Sequence, residues 1–452
     1  MTTESSMHGE WSSRWMYFLA ATGSAVGLGN IWKFPYIAGE NGGGAFVLVY
    51  LFTIVLVGVP ALIAEVMMGR RGKRDPVSTM LDLSTEAGSS SQWKYLGWLA
   101  VWGGLLILSF YTVIAGWALR YLWVGLNGEL IGLDNISSIA YFDEFTSSAT
   151  ELTGWSTLFL ILTMSCIALG VNKGIEASLR FVMPLMLVLL LVMVGFAMQT
   201  GSFEHAVRFL FEPDFSKLTG DVVLVAMGHA FFTLAVGAGS MMIYGAYVPA
   251  DISLPRVCFD VALADTAIAL LAGLAIFPFI FANDLSVSGG PGLIFMSLPI
   301  AFGQMPYGTL MGTVFFLMLS LAAFSSAISM IEGMVTVFME RWNLSRVKAA
   351  NILGLVVWVL SIGTVLSFNI GKDWTLFGKT FFDLVDYLTA NIMLPLVSLM
   401  TTVFVGWVMD KTIVEESVLA NTPTQHKAWY LTLKYMSPLA ISLVFLAALN
   451  VV

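Results

Sequence analysis

The sequence predicts an all-α integral membrane protein. Eleven transmembrane helices form an inverted repeat of five plus five, with the first and sixth helices broken. Three observations predict it. The 452 residues are 58% hydrophobic and 11% charged, with a mean hydropathy of +0.85; no soluble domain is this apolar, so the bilayer is the solvent. Eleven apolar runs are long enough to cross about 30 Å of hydrocarbon. A glycine-interrupted pattern occurs twice, 210 residues apart: Ala25-Val26-Gly27-Leu28-Gly29-Asn30 is matched by Ala235-Val236-Gly237-Ala238-Gly239-Ser240.

The first run, from Arg14 to Pro35, carries Gly23, Gly27 and Gly29 in its middle. Each Gly inside a helix costs about 0.5–1 kcal/mol relative to Ala, so this cluster predicts a local break. Broken backbone in hydrocarbon is tolerated where it lines a cavity or meets a ligand. Two such helices in corresponding places point to a transporter binding site. Close packing of the GxxxG kind is the structural alternative, and the repeat weighs against it.

The approximate spans are 14–37, 43–68, 95–125, 155–171, 179–200, 223–248, 257–284, 308–339, 348–368, 380–408 and 430–452. Five is odd, so the second half crosses in the opposite sense. Residues 1–200 form the first repeat with spans one to five, 201–410 the inverted second repeat, and 411–452 a loop with the eleventh span. With the N-terminus inside, Lys33, Arg120, Arg208, Lys217, Lys372 and Lys379 fall outside and the other 15 of the 21 Lys and Arg fall inside. That bias places the N-terminus in the cytoplasm and the C-terminus on the far side. The polar first dozen residues lack a basic region, so no cleaved signal is expected.

Other chemistries find little support. The two cysteines, Cys166 and Cys258, sit in apolar runs without metal-ligand spacing, no HExxH or P-loop occurs, and His229 is the only histidine inside a span. No basic cluster suggests nucleic acid, and nothing indicates an obligate protein partner. A membrane enzyme would need a nucleophile–base pair or metal cluster within the spans, and a channel would repeat a pore element in parallel. What the spans do contain is oxygen. The positive ends of half-helices hold carboxylates, and carbonyls freed at a break hold Na⁺. Asn30 adds a side-chain oxygen, Thr233 a hydroxyl beside Phe231 and Phe232, and Ser325 and Ser326 two more next to Ala322. Such hard donors suit Na⁺ rather than a transition metal. Back-bonding to a carbonyl one turn earlier is the structural alternative for the serines. Glu65, Asp265, Asp383 and Asp386 are the acids within spans, where burial is expensive unless paired. Lys33 follows the first break on its outer side, positioned to meet an acid from span ten or to lie solvated at the interface.

GSAVGLGNIWKFPY at 23–36, ENGGGAF at 40–46, FFTLAVGAGS at 231–240 and LAAFSSAIS at 321–329 strongly resemble the neurotransmitter:sodium symporters. The resemblance covers essentially the whole chain. It implies the LeuT-type fold, sodium-coupled import by alternating access, and residence in a plasma membrane, here a bacterial inner membrane. It also implies two Na⁺ ions. The first would take the Ala25 carbonyl, Asn30, Thr233, Asp265 and the substrate carboxylate. The second would take the carbonyls of Gly23, Val26 and Ala322 with the hydroxyls of Ser325 and Ser326. The carboxylate would rest on amides near Leu28 and Gly29 and on the Tyr111 hydroxyl, the ammonium on carbonyls near Ala25, Phe232 and Thr233. Ser24, Ile107, Phe232, Ala235, Ala238 and Met330 would surround the side chain, with Ser326 beside them.

Monoamine carriers place an Asp where this chain has Gly27, so the resemblance implies a substrate with its own carboxylate: a neutral, hydrophobic L-amino acid, aliphatic or aromatic. Several bacterial relatives have Phe at the position of Ala238, and the small residue leaves room for Tyr or Trp. Asp265 departs from the family's usual Asn; its charge would replace the one other members take from Cl⁻, so transport is expected to be chloride-independent. Lys33 and Asp386 match an outer gate pair. Gly174 and Pro184, nine residues apart at the inner start of span five, match a spacing associated with unwinding there. A proton-coupled carrier titrating Asp265 or Glu65 is the nearest rival.

Overall fold

With no water in hydrocarbon to accept backbone hydrogen bonds, a chain this apolar has to satisfy its amides internally. A computed structural model describes residues 10–249, 251–287, 293–418 and 422–449, and these are helices joined by turns. Among them the only strand-like pairing is a bridge between Leu376 and Lys379. In chain order the helices are α1 Arg14–Ala25, α2 29–40, α3 Gly44–Gly72, α4 Pro76–Glu86, α5 Ser91–Leu126, α6 Asn135–Ser147, α7 Ala149–Ala168, α8 Val171–Ala197 and α9 Phe203–Phe211. They continue as α10 Gly220–Thr233, α11 Ser240–Ala246, α12 Leu254–Ala282, α13 Ile294–Gln304, α14 Gly308–Trp342, α15 Arg346–Ser367, α16 Phe381–Val408, α17 Lys411–Val418 and α18 Pro423–Ala448.

Nine helices among the described residues are continuous, long and apolar enough to cross a membrane: α3, α5, α7, α8, α12, α14, α15, α16 and α18. The other two predicted spans are interrupted, as α1/α2 and α10/α11. Two boundaries differ from expectation for a local reason. The fourth predicted span begins earlier, at Ala149, because the Ser148 hydroxyl accepts from the Glu151 amide and caps the helix. The eleventh begins at Pro423, where Thr422 caps the start; polar residues in its first turns masked it in the sequence. Positions 450–452 of that predicted span lie outside the described residues.

The centre is α5 packed along α14. In the most apolar window of α5, 83% is buried, against 22% for α18, so α5 is the axis and α18 faces lipid. Apolar surface gives little drive for helix association in lipid, so close backbone approach has to supply the packing. The α3–α11 contact shows it. A Cβ on Gly69 would lie 1.8 Å from the Met242 carbonyl oxygen, and one on Gly245 would lie 2.4 Å from that of Val66.

One end of the bundle is tied by polar groups. Glu332, buried on α14, accepts from the Tyr247 hydroxyl at 2.8 Å and pairs with Arg346, which also donates to the Ile167 carbonyl at 2.7 Å. Glu176 accepts from the Ser12 amide at 3.2 Å and from the Ser12 hydroxyl, holding the chain before α1 against α8. Arg70 donates to the carbonyls of Ile252 and Ser417. In the loop beyond, Asp75 caps α4 through the amides of Val77 and Ser78, and burial pushes its carboxyl above the usual range. Arg71 holds the Glu86 carboxyl below it.

Gly69→Ala should lower stability by about 1–3 kcal/mol, because the added methyl has to separate α3 from α11. Thermal unfolding of the detergent-solubilised protein checks this, with Gly195→Ala as a reference of smaller effect, since nothing lies within 4 Å of its Cβ position and its backbone is helical.

Candidate functional site

The glycines interrupt both helices where predicted. α1 stops at Ala25; Val26 is extended (φ −74, ψ 112) and its amide still donates to the Thr22 carbonyl. The helix resumes at Gly29 through a π-type turn. α10 stops at Thr233, and α11 starts only at Ser240. Between them Gly237 and Gly239 have φ of 90 and 75, and Ala235 has φ 52. A left-handed non-glycine residue costs about 1–2 kcal/mol, so the surroundings have to hold this break open. Glu65 on α3, only 1% exposed, does so: its carboxylate accepts from the Gly237 amide at 2.8 Å. From the sequence Glu65 is a buried acid of unstated purpose; the structure makes it the acceptor that a helix would otherwise have supplied.

A cavity of about 30 Å³ lies between the breaks. Of the predicted substrate residues, Ser24, Ala25, Leu28, Gly29, Ile107 and Tyr111 line it. So do Phe232, Ala235, Ala238, Ser326 and Met330. Thr233 does not; it turns to the oxygen cluster described below. Gly27 and Leu394 complete the lining. Leu394 carries no signal in the sequence, being one Leu in an apolar run. The Leu28 amide donates to the Tyr111 hydroxyl at 3.2 Å, and the Ser24 hydroxyl to that of Ser329 at 2.8 Å. A Cβ on Gly27 would lie 2.3 Å from Ser326 Oγ and 2.8 Å from Tyr111 Oη, so the glycine keeps these hydroxyls beside the break.

Two oxygen clusters flank the cavity. In the first, Asn30 Nδ2 donates to Asp265 Oδ1 at 2.7 Å and to Thr233 Oγ1 at 3.1 Å. The Thr233 hydroxyl lies 3.0 Å from Asp265 Oδ2, and Asp265 is fully buried. Asn30 Oδ1 accepts from the Gly27 amide at 3.1 Å, which ties the cluster to the break. In the second, Ser326 Oγ donates to the carbonyls of Val26 at 3.0 Å and Gly23 at 3.3 Å. Ser325 Oγ donates to those of Ala322 at 2.9 Å and Val26 at 3.4 Å. All five oxygens predicted for the second ion meet here. Back-bonding by Ser325 is present too, and it coexists with the cross-helix contact. Among the described residues no group of three or more His, Cys, Asp or Glu could hold a metal. The donors are hydroxyl, carbonyl, amide and one carboxylate, a set suited to a hard monovalent cation.

The gate pair departs from expectation. Lys33 Nζ sits 4.1 Å from the centre of the Phe232 ring, and among the described residues it forms no ion pair with Asp386. A cation over an aromatic face is stabilised by the ring quadrupole, and in this conformation that contact replaces the expected pair. Asp383 has a local role: it forms a capping box with Thr380 at the start of α16. A wider cavity of about 390 Å³ opens above, lined among others by Lys33, Asp221, His229, Phe232 and Asn391. His229 is packed among the rings of Phe34, Phe46 and Tyr50 and has no polar partner. At the start of α8, Gly174 lies in a π-type turn, Val171–Glu176, and its Cβ position is 2.0 Å from the Cys166 carbonyl oxygen. Pro184 sits inside a continuous helix. The predicted weak start of span five is thus fully wound here.

Two interrupted helices that expose backbone to one enclosed cavity within a membrane-spanning bundle define a secondary transporter. The model of the sodium:neurotransmitter symporter family matches residues 8–135 and 142–452. The sodium-dependent transporter YhdH of Bacillus subtilis, described as uncharacterized, is 35% identical over 446 residues, covering 98% of both chains. An uncharacterized sodium-dependent transporter of Haemophilus influenzae is 32% identical, over 99% of this chain and 100% of that one. The crystal structure of MhsT in complex with L-phenylalanine is similar at a TM-score of 0.90 and 42% identity, covering 97% of this chain and 99% of that one. The chain belongs to the sodium:neurotransmitter symporter family. It is a multi-pass membrane protein that moves a small molecule with sodium, and not an enzyme.

Glu65→Ala should strand the Gly237 amide inside the protein and destabilise it by about 1–3 kcal/mol, whereas Glu65→Gln keeps an acceptor and loses less. Comparing the thermal unfolding midpoints of the two variants checks this.

Proposed function

We propose that this protein imports neutral, hydrophobic L-amino acids, aliphatic and aromatic, together with Na⁺ by alternating access. One observation carries the reading: the apolar cavity has hydroxyl and broken-helix backbone at one end and lies between two clusters of hard oxygen donors. The amides at Leu28 and Gly29 and the Tyr111 hydroxyl take the substrate carboxylate; carbonyls near Ala25, Phe232 and Thr233 take the ammonium. Ile107, Ala235, Ala238, Met330 and Leu394 take the side chain. MhsT, bound to L-phenylalanine, supports an aromatic amino acid among the substrates.

Two sodium ions are assigned. The first binds at Ala25, Asn30, Thr233 and Asp265, with the Asn30 amide turning its oxygen inward; the second binds at Gly23, Val26, Ala322, Ser325 and Ser326. The Asp265 carboxylate balances the first ion without Cl⁻. The two halves, 1–200 and 201–410, are inverted repeats of five spans, with an eleventh in 411–452. The N-terminus is cytoplasmic and the C-terminus lies outside, in a bacterial inner membrane. The extensive packing of α5, α7, α14 and α15 on one another supports a static scaffold, against which α1/α2, α3, α10/α11 and α12 rock. Lys33 exchanges Phe232 for Asp386 during that cycle, and the turn at Gly174 opens ahead of Pro184 to release the second ion inward.

The test is uptake of labelled tryptophan into proteoliposomes under an inward Na⁺ gradient, or with K⁺ in its place. Leucine, tyrosine, glycine and dopamine serve as unlabelled competitors. Na⁺-dependent uptake blocked by leucine and tyrosine but not dopamine is expected, and it should persist when gluconate replaces chloride. Uptake indifferent to Na⁺ would transfer the coupling to protons. Loss in gluconate would remove the role given to Asp265. Ala238→Phe should fill the side-chain end of the cavity and lower tryptophan uptake relative to leucine by about ten-fold or more, read as the ratio of their initial rates.

A further inference from the structure

A second polar cavity lies far from the helix breaks, between α17 and the first turns of α18. Its volume is about 340 Å³. Lys411 and Glu415 come from α17; His426, Lys427 and Lys434 come from α18. Three ammonium groups therefore face one carboxylate. His426 is 4% exposed, its Nδ1 stands 4.0 Å from Glu415 Oε1, and its Nε2 has no partner. Three ammonium groups against one carboxylate leave the cavity short of negative charge, and an anion supplies it through charge-assisted hydrogen bonds.

The neighbours of Lys434, one of them Trp407 just outside the lining, indicate which anion. Lys434 Nζ lies 4.7 Å from the Trp407 ring centre and 5.6 Å from that of Tyr430. Trp407 Nε1 donates to the Lys434 carbonyl at 3.0 Å, and Trp407 meets Tyr435 edge-on at 5.6 Å. Trp407 and Tyr435 are each more than half exposed, on a helical surface that faces lipid. Trp and Tyr settle where hydrocarbon meets headgroups, which fixes the depth of this cavity at the phosphate layer. Leu431, also on its lining and 46% exposed, continues the wall toward the hydrocarbon. The occupant thus needs a phosphate at one end and an apolar chain at the other.

We propose that this cavity binds the headgroup of an acidic phospholipid, whose phosphate is held by Lys411, Lys427 and Lys434 and whose acyl chain runs along Leu431 and Tyr435. The site does not depend on what the central cavity binds. Basic pockets between helices on the cytoplasmic side are suited to such headgroups, and each Lys contributes about a five-fold gain in affinity near a charged surface.

The test uses the full-length protein in phosphatidylcholine nanodiscs with and without phosphatidylglycerol, with bound lipid counted by native mass spectrometry. The wild type is expected to retain one phosphatidylglycerol in preference to phosphatidylcholine. Lys427→Gln with Lys434→Gln should weaken that retention about thirty-fold, and Lys427→Arg with Lys434→Arg should preserve it. Should the double Gln variant not fold, Lys411→Gln on the exposed short helix gives the same reading at about five-fold. Inorganic phosphate should leave the retained lipid in place. Equal retention by the wild type and the Gln variants, loss in the Arg variant, or displacement by inorganic phosphate would each overturn the proposal.

Discussion

Every broken hydrogen bond inside a bilayer has to be repaired by the protein itself, and this structure is organised around two such repairs. At Gly237 the acceptor is the Glu65 carboxylate, reaching across from α3. At Val26 the amide keeps its bond to Thr22, while the freed carbonyls meet the hydroxyls of Ser325 and Ser326 from α14. The acceptor at one break and the donors at the other sit on continuous helices. Those helices determine where the irregular backbone lies and how much of it is left for a ligand.

The repairs in turn require close packing. Glu65 reaches Gly237 because Gly69 and Gly245 let α3 and α11 touch backbone to backbone. A bulkier residue at either place would pull the carboxylate away from its amide. Elsewhere Glu332, Arg346 and Tyr247 link α14, α15 and the end of α11, and Glu176 holds the segment before α1 against α8. These are charged contacts in a low-dielectric setting, strong when complete and costly when half-made. They suit a structure with discrete arrangements better than one that deforms smoothly.

Much of this was legible in the sequence, for identifiable reasons. Long apolar runs have few alternatives to crossing the bilayer, and clustered glycines inside them have few alternatives to a break. The eleven cavity residues and the five oxygens around Ser325 and Ser326 could be named from the family resemblance, and only those near 23–29 and 232–238 lie on or beside the breaks. What escaped was whatever depends on a distant partner. Leu394 lines the cavity through the path of α16, not through its own chemistry. Lys33 was expected against Asp386 but lies on Phe232, because an aromatic ring distant in the chain is invisible to charge pattern. The short helices α4, α6, α9, α13 and α17 were not anticipated, since they are too short or too polar to register as spans.

The central cavity, at about 30 Å³, holds roughly one water and no amino acid. It is therefore not a mould. Anything that fits inside has to pry the lining apart, and the parts of that lining differ in stiffness. Gly27 and Ala238 present backbone and a methyl, which cannot bend away, whereas Phe232, Met330 and Leu394 can swing on their own bonds. Selection in such a chamber works like a spring gauge rather than a template: it weighs guests by the force they exert on a few compliant walls. A lining of that kind accepts many shapes of similar greasiness and turns away those that leave its fixed end unbonded.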